Sequence, residues 1–220
     1  MTSTFEVIHA PSLVDEVHRQ IRARILSGDF PPGTPLRDST LATQMGTSRS
    51  PVREALRSLE RSGLVEKSAN RSYRIASIDS HDLPELALLR ATDEVLAVTR
   101  IVDDHLPLET VEARLEQIQA TSDDAAEVTA ADSAFHAAVV DLAGLPRLSA
   151  RYCDITDQIR LVLLTRVQQK SPAKELSIRE HTVLIDLLRS ARASGDTGAL
   201  IRAWAWHVHA GLGVPVRRHA

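Results

Sequence analysis

Asp132 and His136 stand four residues apart in the chain. On a helix this spacing places a carboxylate and an imidazole on one face, where both can bind the same metal ion. His181 and His207 lie in later segments with helical periodicity, and helical bundles commonly build metal sites from facing helices. Three imidazoles and one carboxylate suit Zn, Ni, Co, Mn or Fe and would leave coordination positions open.

Spacing alone is weak support for this metal site, because only the pair of Asp132 and His136 is local in sequence. A single histidine in a helix is more often a structural residue than a ligand. On the residues alone, four unrelated structural side chains are therefore the simpler interpretation.

Two interleaved stripes run along residues 48–61. The apolar positions are Val52, Ala55, Leu56 and Leu59, and the basic positions are Arg49, Arg53, Arg57 and Arg61. A helix that enters the major groove of DNA needs such an apolar back and donors near its N-terminal end. The planar fork of arginine can donate to guanine O6 and N7 together, or to a phosphate. Ser48 and Ser50 stand where a hydroxyl can contact a phosphate or cap the helix.

The alternative for the basic stripe is a solvated face on which Glu54 and Glu60 pair with the arginines. The neighbouring elements favour DNA binding instead. A helical apolar stripe over residues 14–25 stops at Gly28, and a short helix around residues 40–45 follows. A turn at residues 46–48 leads to a helix over 51–62, with Gly63 as its C-terminal cap. These elements predict a helix-turn-helix.

Residues 64–67 and 72–75 flank a polar turn and predict a β-hairpin, which completes the order of a winged helix. Six amphipathic segments then follow, over residues 83–105, 109–119, 124–143, 147–170, 174–194 and 196–210. The predicted fold class is therefore mainly α. It has an N-terminal winged helix-turn-helix of three helices and a β-hairpin, residues 1–78, and a C-terminal all-α helical bundle, residues 79–220.

The composition is that of a globular protein, with 220 residues, 43% hydrophobic and 25% charged. Residues 1–78 carry 11 Lys and Arg against 8 Asp and Glu, whereas residues 79–220 carry 15 against 21. This asymmetry indicates a polyanion-binding module joined to an acidic one. Aromatic residues make up only 3%, which argues against single-strand binding by base stacking. With Cys153 as the one cysteine, and without a signal peptide or an apolar run of ~20 residues, we expect a cytoplasmic protein with no membrane partner.

The N-terminal part resembles the winged-helix domain of the GntR family of bacterial transcription regulators. The matching residues are Ile25, Gly28-Asp29-Phe30-Pro31-Pro32-Gly33-Thr34-Pro35-Leu36, Leu41-Ala42, Ser48-Arg49-Ser50-Pro51-Val52-Arg53-Glu54-Ala55-Leu56 and Gly63-Leu64-Val65. The resemblance implies that Arg49 and Arg53 read operator bases or adjacent phosphates, supported by Ser48 and Ser50, and Arg57 continues the basic stripe. It also implies that the wing tip around Asn70 reaches toward the minor groove, although family wings often carry glycine there.

Residues from about 82 to 209 resemble the FCD ligand-binding domain of the FadR subgroup of this family. The matching pieces are Asp82-Leu83, Leu86, Leu89-Arg90, Glu94, Ala97, Asp132, Phe135-His136, Glu180-His181, Gly195-Asp196 and His207. Metal-binding members use one aspartate and three histidines, which implies Asp132, His136, His181 and His207 as ligands. A small carboxylate effector would complete the metal sphere and pair with Arg90. The stretch before His207 is about one helical turn longer than usual, which makes His209 a competing ligand.

We therefore expect a homodimeric transcription regulator, with repression the favoured sign, that binds a pseudo-palindromic double-stranded DNA operator. Its helical domain would bind a divalent metal ion, Zn or Ni first, and a small organic acid that modulates operator affinity. One alternative is the same regulator with a metal-free effector pocket. Another is a metal-dependent hydrolase, but no nucleophile or general base stands at a motif spacing, so we expect no enzyme.

Overall fold

The computed structural model of the chain describes residues 13–68, 72–165 and 174–215. The chain forms two compact units, and the boundary between them falls between Ile78 and Asp79. Within the described residues, none of the helices is long and apolar enough to cross a membrane.

The first unit contains three helices and three short strands in its described residues. These are α1 (Leu13–Leu26), β1 (Pro35–Leu36), α2 (Asp38–Gln44), α3 (Arg49–Arg61), β2 (Val65–Lys67) and β3 (Tyr73–Ile75). Helix α3 packs its apolar stripe against α1, and Val52 and Leu56 are fully buried there. Gly63 ends α3 with a positive φ of 78°, and the amides of Gly63 and Leu64 bond back to Glu60 and Leu59. This is the predicted glycine cap, and it fixes where α3 stops.

The sheet has the strand order β1-β3-β2, and both pairs are antiparallel. Val65 faces Ile75 across the predicted hairpin, while Pro35 faces Arg74 on the other edge. The sequence predicts only the hairpin, because a two-residue strand that begins with a proline has no visible alternation. Asn70, at the predicted wing tip, lies outside the described residues.

The second unit is helical throughout its described residues. Its helices are α4 (Leu83–Asp103), α5 (Glu109–Ala120), α6 (Ala125–Leu142), α7 (Pro146–Thr165), α8 (Lys174–Ser194) and α9 (Gly198–Gly211). All six correspond to predicted segments, although the predicted end of α7, residues 166–170, falls outside the described part. Helix α4 is central, because it contacts α6, α7, α8 and α9. Each residue on its inner faces can therefore meet side chains from several helices.

Helix α8 continues unbroken to Ser194, where Gly195 ends it with a φ of 77°. The longer stretch expected before His207 is thus accommodated as one more turn of α8. Because a helical turn takes about 3.6 residues, one added turn lengthens α8 and leaves nearly unchanged the direction in which the chain leaves the helix.

Candidate metal centre and nucleic-acid interface

Three histidine rings meet in the core of the second unit, one each from α6, α8 and α9. His136 Nε2 lies 3.2 Å from His181 Nε2 and 3.2 Å from His207 Nε2. The three residues each offer a ligand atom within 4.8 Å of the others, and all three are buried. His209, the competing candidate, stays outside this cluster, where its Nδ1 lies 2.7 Å from the carbonyl oxygen of Ala205.

The second ring nitrogen of each histidine, Nδ1, faces an oxygen atom that can accept a hydrogen bond. His136 Nδ1 lies 2.7 Å from Glu94 Oε2, and His181 Nδ1 lies 2.7 Å from the backbone oxygen of Ser177. His207 Nδ1 lies 3.1 Å from Glu180 Oε2, although this contact lacks the directionality of a hydrogen bond. Protons on these Nδ1 atoms leave three Nε2 lone pairs that face one another. A cation between the lone pairs would remove their repulsion, so the donor set fits a metal ion.

Burial keeps two of these imidazoles neutral. It lowers the pKa of His181 from 6.5 to about 4. Burial, followed by the charges of His136 and His181, lowers the pKa of His207 to about 3. Because a metal binds only the neutral imidazole, both rings are in the ligating form at neutral pH.

Asp132 lies at the edge of the histidine cluster, one turn before His136 on α6. Its Oδ1 is 3.4 Å from His181 Nε2, and its Oδ2 is 4.0 Å from His136 Nε2. Burial acts to raise the pKa of Asp132, but electrostatic interactions, first with His136 and then with His181, outweigh burial and leave the pKa lowered. Ser177 Oγ, which the sequence did not single out, donates to Asp132 Oδ1 at 3.2 Å.

Glu94 gathers donors from four helices around the cluster. Its Oε2 accepts from His136 Nδ1 at 2.7 Å and from Trp204 Nε1 at 2.6 Å. Its Oε1 accepts from Tyr152 Oη at 2.8 Å and from Arg90 Nε at 2.7 Å. Glu94 is fully buried. The sequence predicts no role for Glu94, and the signal that could have found it is a charged pair, Arg90 and Glu94, four residues apart on the apolar helix α4.

Arg90, the predicted effector residue, is mostly buried beside this network, with 13% of its side chain exposed. It interacts electrostatically with Glu94 and with Asp132. Its guanidinium therefore lies close enough to the Glu94 carboxylate and to Asp132, at the edge of the histidine cluster, to interact with both.

The predicted DNA-contacting residues that the structure describes extend from the residue before α3 through the first nine residues of this helix. They are Ser48, Arg49, Ser50, Arg53 and Arg57, and all five are exposed. Ser48 precedes α3 in an extended conformation, and its side chain makes no capping hydrogen bond within the described part of the chain. The helix therefore presents hydroxyl and guanidinium donors outward, while its apolar stripe is buried.

The acidic partner of the first two arginines is Asp38 on α2, which the sequence analysis did not identify. Arg49 Nη2 lies 3.0 Å from each oxygen of the Asp38 carboxylate, and Arg53 Nε donates to the same group. Burial acts to raise the pKa of Asp38, but the bonds from the two arginines leave it lowered. Of the glutamates considered as partners, Glu60 pairs with Lys67 at 3.1 Å.

Both units match known protein families. A profile described as bacterial regulatory proteins, gntR family, matches residues 13–75, and one described as the FCD domain matches residues 85–208. The chain is 26% identical over 223 residues to a Paenarthrobacter nicotinovorans protein described as a probable D-xylose utilization operon transcriptional repressor. That match covers 100% of this chain and 95% of the relative.

The chain is also 25% identical over 201 residues to the HTH-type transcriptional regulator McbR of Escherichia coli (strain K12), covering 89% of each. The solved structure of E. coli McbR/YncC has a TM-score of 0.69 at 21% identity and covers 93% of this chain and 97% of its own. A GntR transcriptional regulator from Rhodococcus sp. RHA1 has a TM-score of 0.72 at 23% identity, with 92% and 97% covered. At these identities the two structures show a shared fold.

The matched families and relatives are transcriptional regulators and not enzymes, which sets aside the hydrolase alternative. The helix-turn-helix profile matches the unit that carries the arginine-rich helix, and the FCD profile matches the unit that carries the histidine cluster. The chain therefore belongs to the GntR family of bacterial regulatory proteins, in the subgroup with an FCD domain, and is a DNA-binding transcriptional regulator.

Proposed function

We propose that this regulator is a repressor whose helical unit binds a divalent metal ion together with a small organic acid, and that this acid changes its affinity for an operator. The observation that carries the proposal is the convergence of three buried imidazole Nε2 atoms, each ring backed by an acceptor at Nδ1. Repression is supported by the description of the P. nicotinovorans relative as a repressor.

On the DNA side, Arg49 and Arg53 read operator bases or the adjacent phosphates. Ser48 and Ser50 contact phosphates, and Arg57 extends the basic surface by one turn. This assignment is supported by the exposure of all five side chains. The two serines, Arg49 and Arg53 lie at the N-terminal end of α3, the part of a recognition helix that meets base edges. Asn70 is proposed as the wing contact from the family resemblance alone.

On the ligand side, His136, His181 and His207 hold the metal ion, with Asp132 as the fourth ligand. Imidazole and carboxylate ligands suit Zn and Ni among the available metals. A bound ion would supply open coordination positions that a carboxylate effector can fill. The neutral state of His181 and His207 supports this assignment, because no proton has to leave these two rings first.

Arg90 is the proposed anchor for the effector. Its Nε is engaged by Glu94, but a guanidinium has five N–H donors, and two parallel donors suffice for a carboxylate. A second carboxylate would compete with Glu94 for this cation. Effector binding would then disturb a network that joins α4, α6, α7 and α9.

A homodimer follows from the proposal of a pseudo-palindromic operator, since two recognition helices must read two half-sites. Leu88, Leu89 and Leu96 are exposed on α4 of the helical unit and would suit a contact between copies. Sedimentation equilibrium of the full chain tests whether it forms a dimer.

As a regulator of chromosomal DNA, the protein would act in the cytoplasm.

The first experiment measures the metal content per chain by elemental mass spectrometry on gently purified protein. Wild type should contain close to one Zn or Ni ion, and His136→Ala should contain none. His209→Ala is the matched control and should keep the metal, because His209 bonds to its own helix outside the cluster. Wild type that stays metal-free after incubation with Zn, Ni and Mn would reject the metal and favour the metal-free effector pocket.

The second experiment measures operator affinity by fluorescence anisotropy on a duplex that wild type enriches from a random library. We expect the affinity of metal-loaded wild type to change when a panel of lactate, succinate, citrate and gluconate is added singly. In His136→Ala the same acids should have no effect. An effect of equal size in both proteins would also favour the metal-free pocket.

A further inference from the structure

Asp38 occupies the first position of α2 and faces the beginning of α3. Its carboxylate is mostly buried, with 19% of the side chain exposed, whereas the side chains of Arg49 and Arg53 are 56% and 53% exposed. One acidic group therefore holds two neighbouring arginines of the recognition helix. Its Oδ1 also accepts from the amide of Ser39 at 2.7 Å, which fixes the carboxylate on α2.

The contacts with Asp38 use one side of each guanidinium. Arg49 donates through Nε and Nη2, and Arg53 donates through Nε. Because a guanidinium carries five N–H donors, each arginine keeps donors at its terminal end. That end is the one that can meet guanine O6 and N7 with two parallel bonds. The carboxylate thus limits where the side chains point without using up the edge that reads a base.

Fold stability does not explain this arrangement. Ion pairs with arginines that are more than half exposed contribute little to folding, because solvent screens them. A carboxylate beside a DNA-binding surface also repels phosphates and offsets positive charge, which reduces affinity for DNA of any sequence. A gain in recognition would offset this loss, since fewer free rotamers of the arginines mean less entropy lost on binding.

We propose that Asp38 is a positioning residue for operator recognition, which orients Arg49 and Arg53 toward base edges and lowers binding to DNA of arbitrary sequence. The proposal rests on the proposed role of these two arginines in reading the operator. Asp38 raises the ratio of specific to non-specific affinity in two ways. It increases the affinity for the operator, and it decreases the affinity for DNA of arbitrary sequence.

The test compares Asp38→Asn with wild type on two duplexes, by fluorescence anisotropy over a range of salt concentrations. The first duplex is the one that the full wild-type chain enriches from a random library, and the second is a shuffled duplex of the same composition. Asparagine keeps an oxygen for the Ser39 amide but loses the charge. Asp29→Asn is the matched control, because it removes the same charge from a residue that pairs with Arg24 of α1.

We expect the ratio of the two affinities to fall about tenfold in Asp38→Asn, the discrimination that one base contact supplies. The enriched duplex should bind more weakly and the shuffled duplex more tightly. Binding of the shuffled duplex should also become more salt-dependent, by about one phosphate contact, as the released arginines reach the backbone. In Asp29→Asn both affinities should move together and leave the ratio unchanged.

An unchanged ratio in Asp38→Asn would overturn the proposal. So would a parallel loss of both affinities, since this is the effect of a merely structural residue, and thermal unfolding of the variant would identify it. Arg53→Ala separates the positioning role of Asp38 from the reading of the operator by the arginines. If Arg53→Ala lowers the ratio and Asp38→Asn does not, only the role of Asp38 fails. If Arg53→Ala keeps the wild-type ratio, or if no sequence is enriched, operator reading by these arginines fails as well.

Discussion

Glu94 Oε2 accepts a hydrogen bond of 2.7 Å from His136 Nδ1, and both side chains are buried in the core of the helical unit. Burial acts to raise the pKa of Glu94, but electrostatic interactions with His136 and Arg90 outweigh burial and hold the pKa well below its usual range. A carboxylate at this position keeps the proton of His136 on Nδ1. The lone pair of Nε2 is then directed at the other two rings, which is the tautomer that a metal ligand requires.

Glu94→Gln should weaken Zn binding by about 10–100-fold, the usual effect of removing the carboxylate behind a metal-binding histidine. The amide can still fill the space but no longer fixes the proton on His136 Nδ1. Competition with a chromophoric chelator measures the affinity. Glu112→Gln is the control, because Glu112 pairs with Arg189 at the surface of the same unit. Equal Zn affinity in Glu94→Gln and wild type would mean that this hydrogen bond does not support the site.

Trp204 should report the state of the metal site by its fluorescence. Its Nε1 donates to the same Glu94 oxygen that accepts from His136, and it is fully buried, whereas Trp206 is 53% exposed. The chain has two tryptophans, so Trp206→Phe leaves Trp204 as the single emitter. Adding Zn to this variant should shift or quench its emission, because charge drawn from His136 polarises the shared carboxylate.

The complementary variant, Trp204→Phe, serves as the control for this signal. Its remaining Trp206 is exposed to solvent, and its emission should change little when Zn is added. A response of the same size from both variants would point to a general change of the fold rather than to the Glu94 network.

The helices were predictable because they follow local rules. The apolar stripe of α3 is visible at helical spacing, and Gly63 marks its end. The family pattern supplied His181 and His207, which local spacing could not join to His136, since the three residues lie on different helices.

The supporting contacts were not predictable from the sequence. Glu94 acquires its role only when α4 packs among four other helices, which brings Tyr152 and Trp204 to its carboxylate. Asp38 meets Arg49 across a turn, at a separation of eleven residues, which no periodicity indicates. In each case tertiary packing sets the distance between the two interacting side chains, and the sequence gives only their residue types.

The metal-free protein should lose stability as the pH falls from about 6.5 toward 4. His181 has a pKa of 6.5 in its ordinary state and about 4 in the fold, so over this range the unfolded chain binds a proton that the folded chain does not. Stability is therefore fully present above pH 6.5 and declines below it, by about 3 kcal/mol for a shift of this size. His207, whose pKa is lowered to about 3, acts in the same direction.

Urea unfolding of chelator-treated protein at several pH values measures this dependence. His181→Asn should have a shallower slope between pH 6.5 and 4, because it lacks one of the groups that titrate. Saturating Zn should raise stability at pH 7 and make the acid dependence steeper, since protons and metal compete for the same nitrogens. Stability that does not change between pH 6.5 and 4 would contradict the burial of neutral histidines.

Arg90→Lys should separate effector binding from metal binding. A lysine keeps the positive charge near Glu94 but presents an ammonium in place of the planar fork, so it cannot hold a carboxylate with two parallel bonds. We expect Zn affinity within about threefold of wild type, because Arg90 contacts Glu94 rather than the ligating nitrogens. Affinity for the tightest-binding acid of the lactate, succinate, citrate and gluconate panel should fall at least about tenfold, the loss that one charge-assisted hydrogen bond accounts for.

Isothermal titration of Zn-loaded protein measures both affinities, and Arg100→Lys is the matched control, because Arg100 pairs with Asp104 at the exposed end of the same helix. Unchanged binding of the acid to Arg90→Lys would place the effector away from Arg90. A loss of Zn affinity as large as the loss of acid affinity would instead mean that Arg90 supports the metal ligands, through Glu94, which contacts both Arg90 and His136, or through its electrostatic interaction with Asp132.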